Sequence, residues 1–164
     1  MTTAADSRVN AKALHAYVAA TDPSDGRAGM GVVFVGPHRR VVRRIGRMLP
    51  GVATRDLAAF RGILYALWNS RRLGSRWVVV HSDNPGVVAQ INGARDVDPD
   101  LVGPYLEVRA LLHAYRGARV EADETTWGHE AAAVAQAAHD HDTDDMVEDL
   151  PLWACQATLE RSSA

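Results

Sequence analysis

The chain has little of several things that would narrow its chemistry quickly. Its 164 residues hold one cysteine, Cys155, which excludes an internal disulfide and any zinc cluster built from thiolates. No apolar run approaches a membrane span or the core of a secretory leader, and Met1 to Asn10 is polar; a cytoplasmic protein with no membrane partner is expected. A phosphate-cradling loop of Walker type and a nucleophile elbow are both missing, which removes the commonest nucleotide and acyl-transfer signatures. Lysine is nearly absent, since Lys12 is the only one and the other basic residues are arginines. The net charge of −2 gives no general attraction to nucleic acid, so any such binding must come from a local patch.

What is present reads as one ordinary globular unit, with 47% hydrophobic and 23% charged residues and length enough for a single core. No internal repeat interrupts it. The boundaries expected are a flexible arm over 1–13, a domain over 14–140, and an acidic linker with a C-terminal tail over 141–164. The apolar, β-branched run Val78-Val79-Val80 continues through His81-Ser82 into Asp83. That pattern predicts a buried strand over 76–82 with Asp83 where it stops, and chemistry in open α/β sheets gathers at such carboxyl ends.

Around this strand the pattern predicts a strand over 14–21, a turn at Asp22-Pro23-Ser24-Asp25-Gly26, and a hairpin of 29–35 with 40–48 across Gly36-Pro37-His38. Thr54 is a suitable N-cap for a helix with Leu57, Phe60, Leu64, Leu67 and Trp68 on one stripe. A short helix follows Asn84 and stops at Gly93. A further helix from about residue 100 carries Tyr105, Val108, Leu112 and Tyr115, then come a strand over 118–122 and an alanine-rich helix over 129–138. The order β-β-β-α-β-α-α-β-α implies a five-stranded mixed sheet, with right-handed crossovers giving the order 3-2-1-4-5 and strand 2 antiparallel to its neighbours.

Several local phrases carry a resemblance. Ser82-Asp83 followed by Val87-Val88-Ala89-Gln90-Ile91-Asn92-Gly93 resembles the third catalytic segment of the type 1 ribonuclease H family, in its reverse-transcriptase-like branch. Gly29-Met30-Gly31-Val32-Val33-Phe34 is similar to that family's glycine-rich second strand. Thr54-Arg55-Asp56-Leu57-Ala58-Ala59-Phe60-Arg61 is similar to its first helix, and His129-Glu130-Ala131-Ala132-Ala133-Val134-Ala135 to its last. The resemblance covers 14–138. It implies an α/β ribonuclease H-like fold and, in active members, hydrolysis of the RNA strand of an RNA/DNA hybrid by two magnesium ions held by four carboxylates.

Carried over position by position, the resemblance leaves one carboxylate. Counting back from Gly31, the first position is Val18, or Ala19 after a one-residue shift; the helix glutamate falls on Ala59 and the final aspartate on Ala132. Asp83 alone remains as a catalytic-type residue. Two dications need several anionic oxygens to offset their repulsion and polarise water, which Val and Ala do not supply. The ordinary structural explanation of Val18, Ala59 and Ala132 is core packing. The first helix offers Arg55 and Asp56 where the family presents asparagines to the hybrid, and Pro85 stands where a glutamine is usual.

Arg39, Arg40, Arg43, Arg44 and Arg47 gather on the hairpin. With Arg55, the residues Arg39, Arg40, Arg43 and Arg47 are the nucleic-acid-binding candidates, because guanidinium groups fit phosphate bidentately. The competing explanation is an edge strand protected by charge, with Arg43 and Arg47 on one face and Arg44 on the other. Asp22, Asp25, Asp56, Asp123, Glu124 and Glu130 are the carboxylates that could rebuild a metal site, although turns and helix starts favour such residues anyway. The run His139-Asp140-His141-Asp142 has metal-binding composition but reads more simply as solvated, His81 as a packed strand histidine, and Cys155 as an inert thiol.

Three functions follow from the resemblance and the departures from it. The first is a catalytically degenerate ribonuclease H-like module that binds nucleic acid or a protein partner. The second is a hybrid ribonuclease with a metal site remodelled around Asp83, the only case needing Mg2+ or Mn2+; otherwise no cofactor is expected. The third is a structural or dimerisation module. A protein partner or a second copy would use the tail, where Leu152, Trp153 and Leu159 supply apolar surface.

Overall fold

The computed structural model of the chain describes residues 12–123, 125–142 and 146–149. The elements are β1 (Leu14–Ala20), β2 (Arg27–Val35), β3 (Val41–Pro50), α1 (Arg55–Arg72), β4 (Trp77–Ser82), α2 (Pro85–Ile91), a 3-10 turn at Pro99–Leu101, α3 (Val102–His113), β5 (Gly117–Ala122), α4 (Thr126–His141) and β6 (Met146–Asp149). The sheet order is β5-β4-β1-β2-β3-β6. β1 pairs antiparallel with β2 and parallel with β4, and β4 pairs parallel with β5. The expected five strands thus stand in the expected order, with β4 in the interior. Among the described residues no helix is long and apolar enough to cross a membrane.

The sixth strand corrects two expectations. The acidic composition of 141–149 argues for a solvated linker and leaves β3 at the edge of the sheet. Instead β6 pairs antiparallel with β3, setting Asp149 opposite Arg43, Glu148 opposite Arg44 and Val147 opposite Ile45. An open edge exposes a row of N–H and C=O groups that gain by pairing, and here the backbone of β6 supplies the partners. At the other end Ala13 is already fully buried, so the packed domain reaches back past residue 14.

Alternation along β2 divides the core between the two faces of the sheet. Met30, Val32 and Phe34 join Val18, Ala59, Phe60, Ile63 and Val80 in the larger cluster beneath α1, α2 and α3. On the opposite face Val33 and Val35 meet Ala19, Val41 and Ala131 beneath α4. Gly29 and Gly31 face α4 as well. A Cβ on Gly31 would stand 2.2 Å from the Ala131 carbonyl oxygen, and one on Gly29 2.2 Å from that of Ala135. The glycine-rich strand therefore exists so that a helix backbone can lie directly on the sheet.

The α1 stripe is rotated from the one the large residues suggest. Phe60, Ile63 and Leu67 are fully buried, while Trp68 is 53% exposed. Trp68 follows Ile63 by five residues, about 140° round the helix, so it faces away from the sheet. Small residues define the true stripe, since Ala58, Ala59, Gly62 and Ala66 are buried with them.

The phrase Val-Val-x-Gln-Ile-Asn-Gly has a structural explanation. Asn84 caps α2 by accepting from the Val87 amide at 3.1 Å, and Val87 and Ile91 bury beneath it. Buried Gln90 accepts from the Asp98 amide at 3.2 Å, tying down the loop to α3. The Asn92 side chain donates to the Val120 carbonyl at 2.9 Å, fastening the end of α2 to β5. Gly93, with φ of 76°, then turns the chain in the left-handed region that glycine favours.

Candidate functional site

At the carboxyl ends of β1 and β4 the fold builds a small polar site around Asp83. The Asp83 amide donates to the Val18 carbonyl at 3.3 Å, which continues the β1–β4 pairing one residue past Val18 opposite Ser82. Its carboxyl group is half-buried, beside the backbone amides of Ala20 and of Asp83 itself. Burial pushes its pKa above the usual aspartate value, and the charge of Asp22 adds to this; Arg55 and the two amides pull the other way.

The start of α1 delivers the neighbours. Thr54 caps the helix by accepting from the Leu57 amide at 3.2 Å. Arg55 reaches Asp22 on the turn after β1, with Nε 3.4 Å from Oδ1, so an exposed guanidinium stands over the mouth of the site. Asp56 accepts from the Asn84 side chain at 2.8 Å and so links α1 to the turn after β4. Asp22, Arg55, Asp56, Asp83 and Asn84 thus meet although 62 positions separate the first from the last.

The three positions without side-chain oxygens fall in different surroundings. Val18 and Ala59, 2% and 3% exposed, share the larger core cluster, and Val18 Cγ1 lies 2.7 Å from where a Cβ on Gly62 would stand. Core packing explains both. It does not explain Ala132, which is exposed on α4 because neighbouring Ala131 and Ala135 are the residues that face the sheet.

Of the other carboxylates, Asp123 is occupied by its own turn, accepting from the Thr125 amide at 3.2 Å and the Thr125 hydroxyl at 2.7 Å. Glu130 binds Arg44, whose Nε donates at 2.7 Å. Asp25 sits in the β1–β2 turn at φ of 53°. Among the described residues no three His, Cys, Asp or Glu side chains converge as a metal ion would require. Glu124, Cys155 and the apolar tail residues lie outside the described residues.

The hairpin arginines divide between the two faces of the sheet, Arg47 on one and Arg44 on the other. Arg39 is exposed at the tip, with φ of 57°. Arg40 and Arg43 are half-buried, Arg47 lies over the Tyr65 ring at 5.4 Å on the α1 face, and Arg44 turns to Glu130 on the α4 face. Arg55 stands apart from them, beside Asp22. His81 is packed, as expected of a strand histidine. It stacks on Tyr17 at 4.3 Å, and its Nε2 is 2.9 Å from His15 Nδ1. Burial, with the adjacent His15, pushes its pKa down.

This arrangement of sheet, helices and strand-end carboxylate defines a ribonuclease H-like protein. Residues 16–138 match the reverse transcriptase-like family, and the chain belongs to it. More particularly, it is 33% identical over 93 residues to the bifunctional protein Rv2228c of Mycobacterium tuberculosis, a match covering 56% of this chain and 25% of that protein. The chain thus spans about a quarter of the curated relative. Among solved structures, the N-terminal RNase H domain of Rv2228c superposes with a TM-score of 0.71 at 26% identity, covering 79% of this chain and 95% of that one. The RNase H1 of the halophilic archaeon Halobacterium salinarum gives 0.72 at 27% identity, covering 78% and 98%. LC11-RNase H1, solved in complex with RNA/DNA hybrid, gives 0.70 at 18% identity over 79% and 98%, which shows the fold alone.

Proposed function

We propose that the protein is a catalytically degenerate ribonuclease H-like module that binds nucleic acid, an RNA/DNA hybrid first of all, without cleaving it. The fold and family support a role with nucleic acid. One observation carries the degeneracy: where the family resemblance calls for four converging carboxylates, Val18 and Ala59 are packed in the core, Ala132 carries no oxygen, and Asp83 has Arg55 and Asp22 for company. A metal pair does not fit this donor set. Buried methyl groups offer no ligand, and a carboxyl group whose pKa is raised by burial is a weaker one. Arg55 supplies a positive charge at the mouth of the site, where it can meet a backbone phosphate.

A second reading, an enzyme with a remodelled site, draws on the charge of Asp22 acting on Asp83. The Arg55–Asp22 pair weighs against it, because a metal would have to displace the guanidinium. The test is fluorescence anisotropy of a labelled hybrid, titrated across a range of salt. Binding that weakens steeply with salt, persists in chelator and falls on Arg55→Gln is expected. No binding at low salt would remove the reading and leave a partner-binding or structural module.

A further inference from the structure

We propose that a cavity at the opposite end of the sheet from Asp83 is a second site, for a phosphate-bearing ligand. It measures about 450 Å3 and is lined by Arg71, Gly74, Ser75, Arg76, Ala114 and Arg116. The three arginines come from three segments: the last turn of α1, the residue before β4 and the residue before β5. Since β4 is parallel to β5, Arg76 and Arg116 share the amino-terminal end of the sheet. Asp83 lies seven residues beyond Arg76, about 20 Å away at strand rise. Neither the hairpin nor the strand-end site is part of this cavity.

The backbone builds the convergence. Gly74, at φ of 81°, reverses the chain after α1, and its amide donates to the Arg71 carbonyl at 2.9 Å. The Ser75 amide closes on the Ser70 carbonyl at 3.1 Å. These bonds satisfy carbonyls at the end of α1 that would otherwise repel an anion. The Arg76 carbonyl then accepts from the Arg116 amide at 3.0 Å, which sets those two residues side by side. Tyr115, buried with its hydroxyl donating to the Leu67 carbonyl, anchors the same turn.

Charge identifies the ligand. No Asp or Glu lines the cavity, and among the described residues none of the three arginines has a carboxylate partner. In a chain of net charge −2 with 20 acidic residues, three guanidinium groups line one depression with no carboxylate partner among the described residues. The planar donor fork of arginine matches phosphate oxygens. One phosphomonoester carries about −1.5 to −2 charges at neutral pH, so three arginines suit a ligand with two or more phosphates. Free nucleoside diphosphates and consecutive backbone phosphates of a nucleic-acid strand share that chemistry.

The test uses inorganic pyrophosphate and a labelled single-stranded oligonucleotide as probes, on wild type and on the triple variant Arg71→Gln, Arg76→Gln, Arg116→Gln. All three side chains are exposed, so the variant should melt near wild type; if it does not, Arg116→Gln alone carries the comparison. Calorimetry should show pyrophosphate binding that weakens with salt and falls about tenfold or more in the variant. A parallel loss of oligonucleotide affinity, with pyrophosphate competing against the strand, assigns the site to backbone phosphates. Unchanged oligonucleotide binding, or none in either protein, assigns it to a free phosphorylated ligand. Wild type that takes up no pyrophosphate at low salt, or a variant that binds it within twofold of wild type, overturns the proposal. The pyrophosphate arm is independent of hybrid binding, so the two readings fail separately.

Discussion

Replacing Val18 with aspartate would return an oxygen donor to the position beside Asp83, at a cost the structure lets one work out. Val18 is 2% exposed and packed against α1 at Gly62. Losing its burial costs about 1.5–3 kcal/mol, and placing a carboxyl group there without a partner costs about 1–3 kcal/mol more. The sum, about 2.5–6 kcal/mol, is a large share of the roughly 5–15 kcal/mol by which small domains are stable. Urea unfolding of Val18→Asp should show that loss at pH 7 and a smaller one near pH 4. The sign follows from burial. A buried aspartate has its pKa raised in the folded state, so folding is penalised increasingly as pH rises through the unfolded value of about 3.9. With Ala59→Glu added, magnesium should restore part of the stability by drawing the new carboxylates toward Asp83, whereas wild type should not respond. A loss below about 1 kcal/mol would refute the packing argument. A double variant that folds but takes up no magnesium would refute the placement of the first carboxylate at Val18 and turn attention to Ala19 on the α4 face.

Gly31→Ala should destabilise by about 1–3 kcal/mol or more, because the new methyl group would stand 2.2 Å from the Ala131 carbonyl oxygen and α4 must lift from the sheet; loss of near-ultraviolet circular dichroism from Trp127 at lower temperature is the readout. Asp83→Asn should leave stability at pH 7 unchanged or higher, since burial makes the ionised carboxylate the disfavoured form. That advantage should shrink as pH falls through the raised folded value of Asp83 toward the ordinary aspartate pKa and be gone below it, and an advantage that grows instead would show Asp83 to be stabilised as an anion.

Most of the architecture was legible because it rests on local pattern. The apolar run before Asp83, the hairpin breakers and the caps at Thr54 and Asn84 each report on a few adjacent residues, and the sheet order follows from them with right-handed crossovers. Trp68 misleads because its bulk suggests a core position, whereas α1 lies on its small residues. β6 was hidden because acidic composition is read as solvation, and only the open backbone edge of β3 gives Met146–Asp149 somewhere to pair. The site was half legible. Asp83 was visible from its strand, and Arg55 and Asp56 from the helix start, but the pairing of Arg55 with Asp22 depends on where the turn after β1 lies. The Arg71, Arg76 and Arg116 cavity was not legible at all. Those residues belong to separate segments, and only the parallel pairing of β4 with β5 brings them together.

The central claim is binding without cleavage, and it is tested most directly by following one labelled RNA/DNA hybrid under single-turnover conditions. Protein is held in excess in magnesium or manganese, and anisotropy and product are read from the same tube. The hybrid is expected to be bound and to remain intact, with no product above a protein-free control and no change on Asp83→Asn. Cleavage that requires the metal and disappears in Asp83→Asn would contradict it and establish a remodelled active site around that residue.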